Sequence, residues 1–286
     1  MPCFGIIMDK IIQIKSRNIM TLIKDRLGLN ATTIKIIAII LMVFDHVHQM
    51  WVPMGAPMWL KWLGRPVFPM FMFVMAESFH YTHSRKKFLW RLLLAAWFMV
   101  IFNTILTTVL PNPDVILMNG AFMTFFLAGL YILFWDMLID GIKTKKAGKI
   151  VGAVLLFFVP IISAVPTLLV AGMAENLPFG LVRILLLIGM MIPSVLYSEA
   201  GAIMVPLGLL FYILRKWRWA QVAVLAAFTA LYFIMSGGFT IQCLMIFAVI
   251  PILLYNGEKG RGMKYFFYIF YPAHIYVLYI IATLWK

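Results

Sequence analysis

The sequence predicts an all-α, polytopic membrane bundle of about ten transmembrane helices, one segment of them re-entrant or broken, and three observations carry that prediction. Hydrophobic residues make up 64% of the chain and charged residues 12%, with a mean hydropathy of +0.99; soluble domains are roughly half apolar and one quarter charged. Apolar stretches of about 20 residues recur along the chain, the length a helix rising 1.5 Å per residue needs to cross a hydrocarbon core of about 30 Å. None of these stretches alternates in polarity as the roughly ten-residue strands of a membrane β-barrel do.

The expected spans, in order, are 33–52, 66–82, 88–110, 117–139, 150–171, 179–196, 201–214, 219–236, 239–255 and 265–285. Ahead of them, residues 1–30 carry Lys10, Lys15, Arg17, Lys24 and Arg26 among scattered Ile and Met. This segment lacks the uninterrupted apolar core and small-residue cleavage site of a signal peptide, so it reads as a basic cytoplasmic segment that includes an interfacial helix. Residues 31–286 read as one transmembrane domain, since no internal repeat or linker divides them. Positive charge at the N-terminus, Arg85–Lys87 and Lys143–Lys149 places those loops in the cytoplasm. Strict alternation would then put Arg215–Arg218 and Lys259–Lys264 on the wrong side, unless a span fails to cross fully. Pro178, Pro193, Pro206 and nearby glycines make 179–214 the segment expected to be re-entrant or broken.

The net charge of +14 arises from 24 Lys and Arg against 10 Asp and Glu. Most of the basic residues occupy short loops between spans, a pattern of membrane topology and anionic lipid rather than nucleic acid. Only Cys3 and Cys243 are present, with no spacing suited to a disulfide or a metal site, and no metal is expected.

Ionisable groups inside the spans are expensive and mark candidate chemistry. Asp45 and His46 are adjacent deep in the first span, where a carboxylate beside an imidazole can hold a tuned proton acceptor. Lys35 precedes His46 by about three helical turns, on nearly the same face and roughly 16 Å away along the axis. That arrangement suits a donor with an anionic handle at the surface and a reactive group reaching inward. Glu77 in the second span and Arg65 at its start are further candidates, Arg65 doubling as an ordinary interfacial anchor. In the last span, Pro272 bends the helix and lets Tyr271 and His274, three residues apart, converge on a cavity; a second His facing His46 would complete an acid/base site. Asn119 and Thr124 open the fourth span, and Glu199 sits at a break. No phosphate loop, dinucleotide fingerprint or nucleophile elbow occurs. Buried acids, histidines and broken helices also build proton-coupled carriers, so a small-molecule transporter is the alternative on residues alone.

Four stretches carry a family resemblance: Lys35 to His46, with Ala38, Met42 and Asp45; Gly64-Arg65-Pro66 with Phe68, Pro69 and Phe71; Tyr255-Asn256-Gly257 with Arg261-Gly262; and Lys264 to His274, with Tyr271 and Pro272. Together these resemble the TraX family of conjugal-transfer proteins, associated with N-terminal acetylation of pilin and similar to a wider group of integral membrane acyltransferases. In that group a basic residue ahead of a buried His recurs; Lys35 here replaces the more usual Arg, keeping charge but losing a bidentate phosphate clamp. The resemblance implies acetyl transfer from cytosolic acetyl-coenzyme A as donor to a peptide or glycan acceptor, pilin among them, in the bacterial cytoplasmic membrane. It implies donor contacts from Lys35, Arg85, Lys86, Arg91 and Arg261, with His46 as base, Asp45 orienting it, Glu77 and His274 within the site, and Arg65, Asn256 or Tyr271 steadying the oxyanion. A transient acetyl-histidine is another use of His46. A non-enzymatic part of a pilus-assembly apparatus is a third class, and a homodimer is left open.

Overall fold

The computed structural model describes residues 28–117 and 119–285. Its helices are α1 (Ala31–Trp51), α2 (Met58–Gly64), α3 (Val67–His80), α4 (Arg85–Val109), α5 (Ala121–Lys143), α6 (Ala147–Ile162), α7 (Val165–Gly172), α8 (Phe179–Met191), α9 (Gly201–Ile213), α10 (Arg218–Met235), α11 (Val249–Leu254) and α12 (Lys264–Leu284). A 3₁₀ stretch, Ile241–Ala248, leads into α11. Most of the expected N-terminal segment, residues 1–27, lies outside the described residues.

Among the described residues, six helical stretches are long and apolar enough to cross a membrane: Ala31–Met54, Arg85–Val109, Ala121–Lys143, Ala147–Gly172, Arg218–Met235 and Tyr265–Leu284. The protein is therefore a multi-pass helical membrane protein. The other expected spans are shorter. At 1.5 Å per residue, α8 and α9 each reach about 20 Å, short of a core of about 30 Å. Between them, residues 192–200 form an irregular connection, with Val195 N–H bonded to Pro160 O at 3.1 Å and Trp97 Nε1 to Met191 O at 2.8 Å. Those partners lie within α6 and α4, so α8 stops inside the bundle and α9 completes the passage.

Two expected helices thus share a single passage, and this resolves the charge conflict. Arg218 at the start of α10 meets Glu77 near the end of α3, and the Tyr255–Arg261 loop is bonded to the start of α1: Ala31 N–H to Glu258 O, 2.8 Å, and Thr32 N–H to Lys259 O, 3.2 Å. The basic loops collect at one end of the bundle. At the other end, Tyr279 Oη donates to Leu110 O at 2.9 Å and Asn112 Nδ2 to Thr283 Oγ1 at 3.0 Å.

Local chemistry sets the ends of the helices that matter for the site. Asn30 caps α1, its Oδ1 accepting from Thr33 N–H at 2.9 Å, which satisfies one of the orphan donors of the first turn. Pro66 precedes α3, where a missing N–H costs no intrahelical bond. α1 packs on α2, α3 and α12, while α3 and α5 both pack on α9. Gly208 permits the α3–α9 approach, since a Cβ there would lie 2.4 Å from Met72 Sδ. The interior is filled by Ile34, Phe73, Phe79, Leu127, Ile132, Phe211 and Tyr279. Val151, Leu155, Phe158 and Ile162 of α6 point outward, as a lipid-facing helix requires.

Candidate functional site

A cavity of about 860 Å³ runs through the bundle between α1, α3, α4, α5 and α12. Lys35, Arg91, Lys259 and Arg261 line it near the basic end, and Asp45, His46, Arg65, Glu199, Gln242 and Tyr271 line its depth. Lys35 Nζ lies 5.2 Å from the centroid of the Phe267 ring, so α12 supports the cation from beneath.

His46 and His274, 228 residues apart, are joined by a 2.7 Å contact from His46 Nδ1 to His274 Nε2. His274 Nδ1 lies 2.7 Å from Phe270 O. A carbonyl only accepts, so His274 Nδ1 carries hydrogen. In the neutral pair His274 Nε2 is then an acceptor, and His46 donates to it from Nδ1. That leaves His46 Nε2 as the unprotonated nitrogen, facing the Asn119 amide Nδ2 at 3.0 Å. Gln49 in turn exchanges hydrogen bonds with the Asn119 side chain at 3.2 and 3.4 Å. The result is a directed chain, Asn119 to His46 to His274 to Phe270 O, in which His46 Nε2 is the nitrogen that can accept a proton.

Asp45 does not orient His46. Consecutive helical residues point about 100° apart, and Asp45 Oδ1 instead accepts from Arg65 Nη2 at 2.5 Å. Arg65 also donates from Nε to Lys61 O and from Nη1 to Gln242 Oε1, both 3.2 Å. A guanidinium has five N–H groups, so these bonds leave N–H groups for a ligand. Gly64 makes the contact sterically feasible: a Cβ there would sit 2.3 Å from Asp45 Cβ.

Residues 119, 120 and 121 at the start of α5 tie three groups together. Asn119 holds His46, Gly120 N–H donates to Glu199 Oε2 at 2.7 Å, and Ala121 N–H donates to Tyr271 Oη at 3.4 Å. Thr124 Oγ1 also donates to Glu199 O at 2.7 Å.

Other expected site residues lie elsewhere. Glu77 borders the cavity but pairs with Arg218, Nη1 to Oε1 3.6 Å, whose guanidinium lies over Phe73 and Tyr255 at 4.8 and 4.9 Å. Arg85 is consumed by Asp136, 2.5 Å, and Tyr212 Oη, 3.0 Å, and does not line the cavity. Lys86 is exposed on the first turn of α4 and does not line the cavity. Asn256 closes a turn in an exposed loop, its Oδ1 accepting from Glu258 N–H at 2.9 Å, so it is not an oxyanion donor. Sequence reasoning passed over Gln242 and Arg218, and did not place Asn119 or Glu199 in the site. A lone Gln in an apolar run, and an Asn-Gly immediately before one, were the available signals. Among the described residues, no group of three His, Cys, Asp or Glu side chains converges to hold a metal.

The deciding comparison is with family models: residues 30–282 match the model described as TraX protein. This chain belongs to the TraX family. The match runs from the N-cap of α1 to the last turn of α12, so every group of the relay falls within it. No curated protein and no solved structure matches the chain.

Proposed function

We propose that this TraX-family protein is an integral membrane acetyltransferase of the bacterial cytoplasmic membrane. It moves an acetyl group from cytosolic acetyl-coenzyme A to a pilin N-terminus or another membrane or cell-envelope acceptor. The observation that carries the reading is the single cavity joining a cationic mouth to the His46–His274 relay. Its volume of about 860 Å³ lies within the range of about 300–1,000 Å³ that accommodates large organic ligands. Excess positive charge at one end of the bundle supports placing the mouth, and the N-terminus, in the cytoplasm.

In this reading Lys35, Arg91, Lys259 and Arg261 hold the donor's phosphates, and its flexible arm carries the thioester about 16 Å inward to the depth of His46. His46 Nε2, released from Asn119 as the acceptor enters, takes the proton from the attacking atom. His274 and the Phe270 carbonyl stabilise the imidazolium that forms. The remaining N–H groups of Arg65 and the Tyr271 hydroxyl face the cavity as donors for the oxyanion of the tetrahedral intermediate. Asp45, Gln242 and Lys61 O keep the guanidinium fixed, so little reorganisation accompanies reaction.

Purified protein incubated with labelled acetyl-coenzyme A tests the proposal. Donor binding with label appearing on a membrane or peptide acceptor is expected. Absence of both binding and thioester consumption overturns it, and solute flux in proteoliposomes without thioester consumption would establish a carrier instead.

A further inference from the structure

We infer that Glu199 is the acceptor-binding residue of the cavity, a carboxylate that receives a primary ammonium group beside His46. The inference rests on the acetyltransferase reading for its chemistry, although the binding site it describes stands without it. The cavity holds two acids at the depth of the relay, Asp45 and Glu199. Asp45 is already bonded to Arg65. Among the described residues Glu199 makes no ion pair; its Oε2 accepts from the Gly120 backbone N–H, and it borders the open space. A carboxylate in an apolar bundle without a cationic side chain bonded to it is costly, and a cationic ligand relieves that cost.

Its position fits the chemistry of an amine. Gly120, which holds Glu199, directly follows Asn119, which holds His46 Nε2, and Ala121 next in sequence holds the Tyr271 hydroxyl. An α-amine has a pKa near 8 and arrives at neutral pH as ammonium; it must lose one proton before it can attack and a second as the amide forms. A hydroxyl acceptor loses only one. The cavity supplies two acceptors. The ammonium gives its first proton to the Glu199 carboxylate, leaving a neutral amine and a carboxylic acid. The amine nitrogen then bonds to the thioester carbonyl carbon, its second proton passes to His46 Nε2, and the carbon–sulfur bond breaks. The departing thiolate takes the proton from His46, and Glu199 returns its proton to water. One ammonium and one thioester become one amide, one thiol and one proton.

A structural role alone, capping the N-terminus of α5, is the competing account, and Glu199→Gln separates the two. The amide oxygen of Gln still accepts from Gly120 N–H but cannot bind a cation as strongly or take a proton. The probes are a short apolar peptide with a free α-amine and the same peptide with a hydroxyl in place of that amine. Binding of each to the full-length protein is measured without donor, and acetyl transfer is measured with labelled acetyl-coenzyme A. The wild type should bind the amine peptide more tightly than the hydroxyl peptide. Glu199→Gln should lose about 10- to 100-fold in amine affinity, the range of one charge-assisted hydrogen bond, and keep both donor binding and hydroxyl-peptide affinity. Glu199→Asp should recover part of the loss. Equal binding of the two peptides by the wild type, or unchanged amine binding in the Gln variant, overturns the inference. Amine selectivity without thioester consumption would keep Glu199 as an ammonium site and remove the acetyltransferase reading; acetyl transfer unaffected by Glu199→Gln does the reverse.

Discussion

Two polar pairs each border the same cavity through one member, Glu77 in the first and His46 in the second, and are built on opposite principles. Glu77 and Arg218 form an ion pair at 3.6 Å, with the Arg218 guanidinium over the rings of Phe73 and Tyr255 and its Nη1 donating to Gln221 Oε1 at 2.6 Å. His46 and His274 are neutral, linked in one direction, and end in an unprotonated nitrogen. The first pair sets opposite charges against each other between α3 and α10; the second holds an unprotonated nitrogen against a neutral amide at the depth of the cavity. Arg85, Asp136 and Tyr212 repeat the closed pattern. Inside a membrane protein an ionisable residue is thus informative through its partner, a fixed opposite charge or a neutral group that a ligand can displace.

The contrast breaks if both pairs respond alike to truncation. His46→Ala should reduce acetyl transfer by about 10²–10⁴-fold, the usual contribution of a general base, with thermal stability in detergent nearly unchanged. Arg218→Ala should do the opposite, costing about 3 kcal/mol by leaving Glu77 buried and unpaired, while the folded fraction transfers acetyl normally. His274→Ala sharpens the point within the relay. A loss of transfer smaller than that of His46→Ala is expected, because His46 keeps its own nitrogen but loses the partner that fixes its tautomer; single-turnover rates report it.

Gly64→Ala probes the support of Arg65. The added methyl would collide with Asp45, so the Asp45–Arg65 bond must open and transfer should fall about tenfold, within the cost of displacing an oxyanion donor, with donor binding retained.

Much of the fold was legible because hydropathy alone reports the solvent of a helix. The ends of α1, α4 and α12 fall close to their expected positions, and the proline-broken stretch 179–214 is where two helices share one passage. The site was legible only in part. His46 and His274 stood out as rare polar groups in apolar runs. Pairings between distant helices carry no local signature, so Asp45 was assigned to its neighbour His46 rather than to Arg65 across the α1–α2 turn. Arg85 and Lys86 were drawn toward the donor by their charge, although one is closed by Asp136 and the other is exposed and does not line the cavity. Asn119 and Gln242 were missed as site residues because a single amide in an apolar segment reads as ordinary hydrogen bonding until its partner is known.

The most direct test of the open relay is to load wild-type and His46→Ala protein with labelled acetyl-coenzyme A and follow donor binding and acetyl transfer in the same sample. Equal donor binding by both, with transfer confined to the wild type, is the predicted result. Transfer by His46→Ala at the wild-type rate would contradict it.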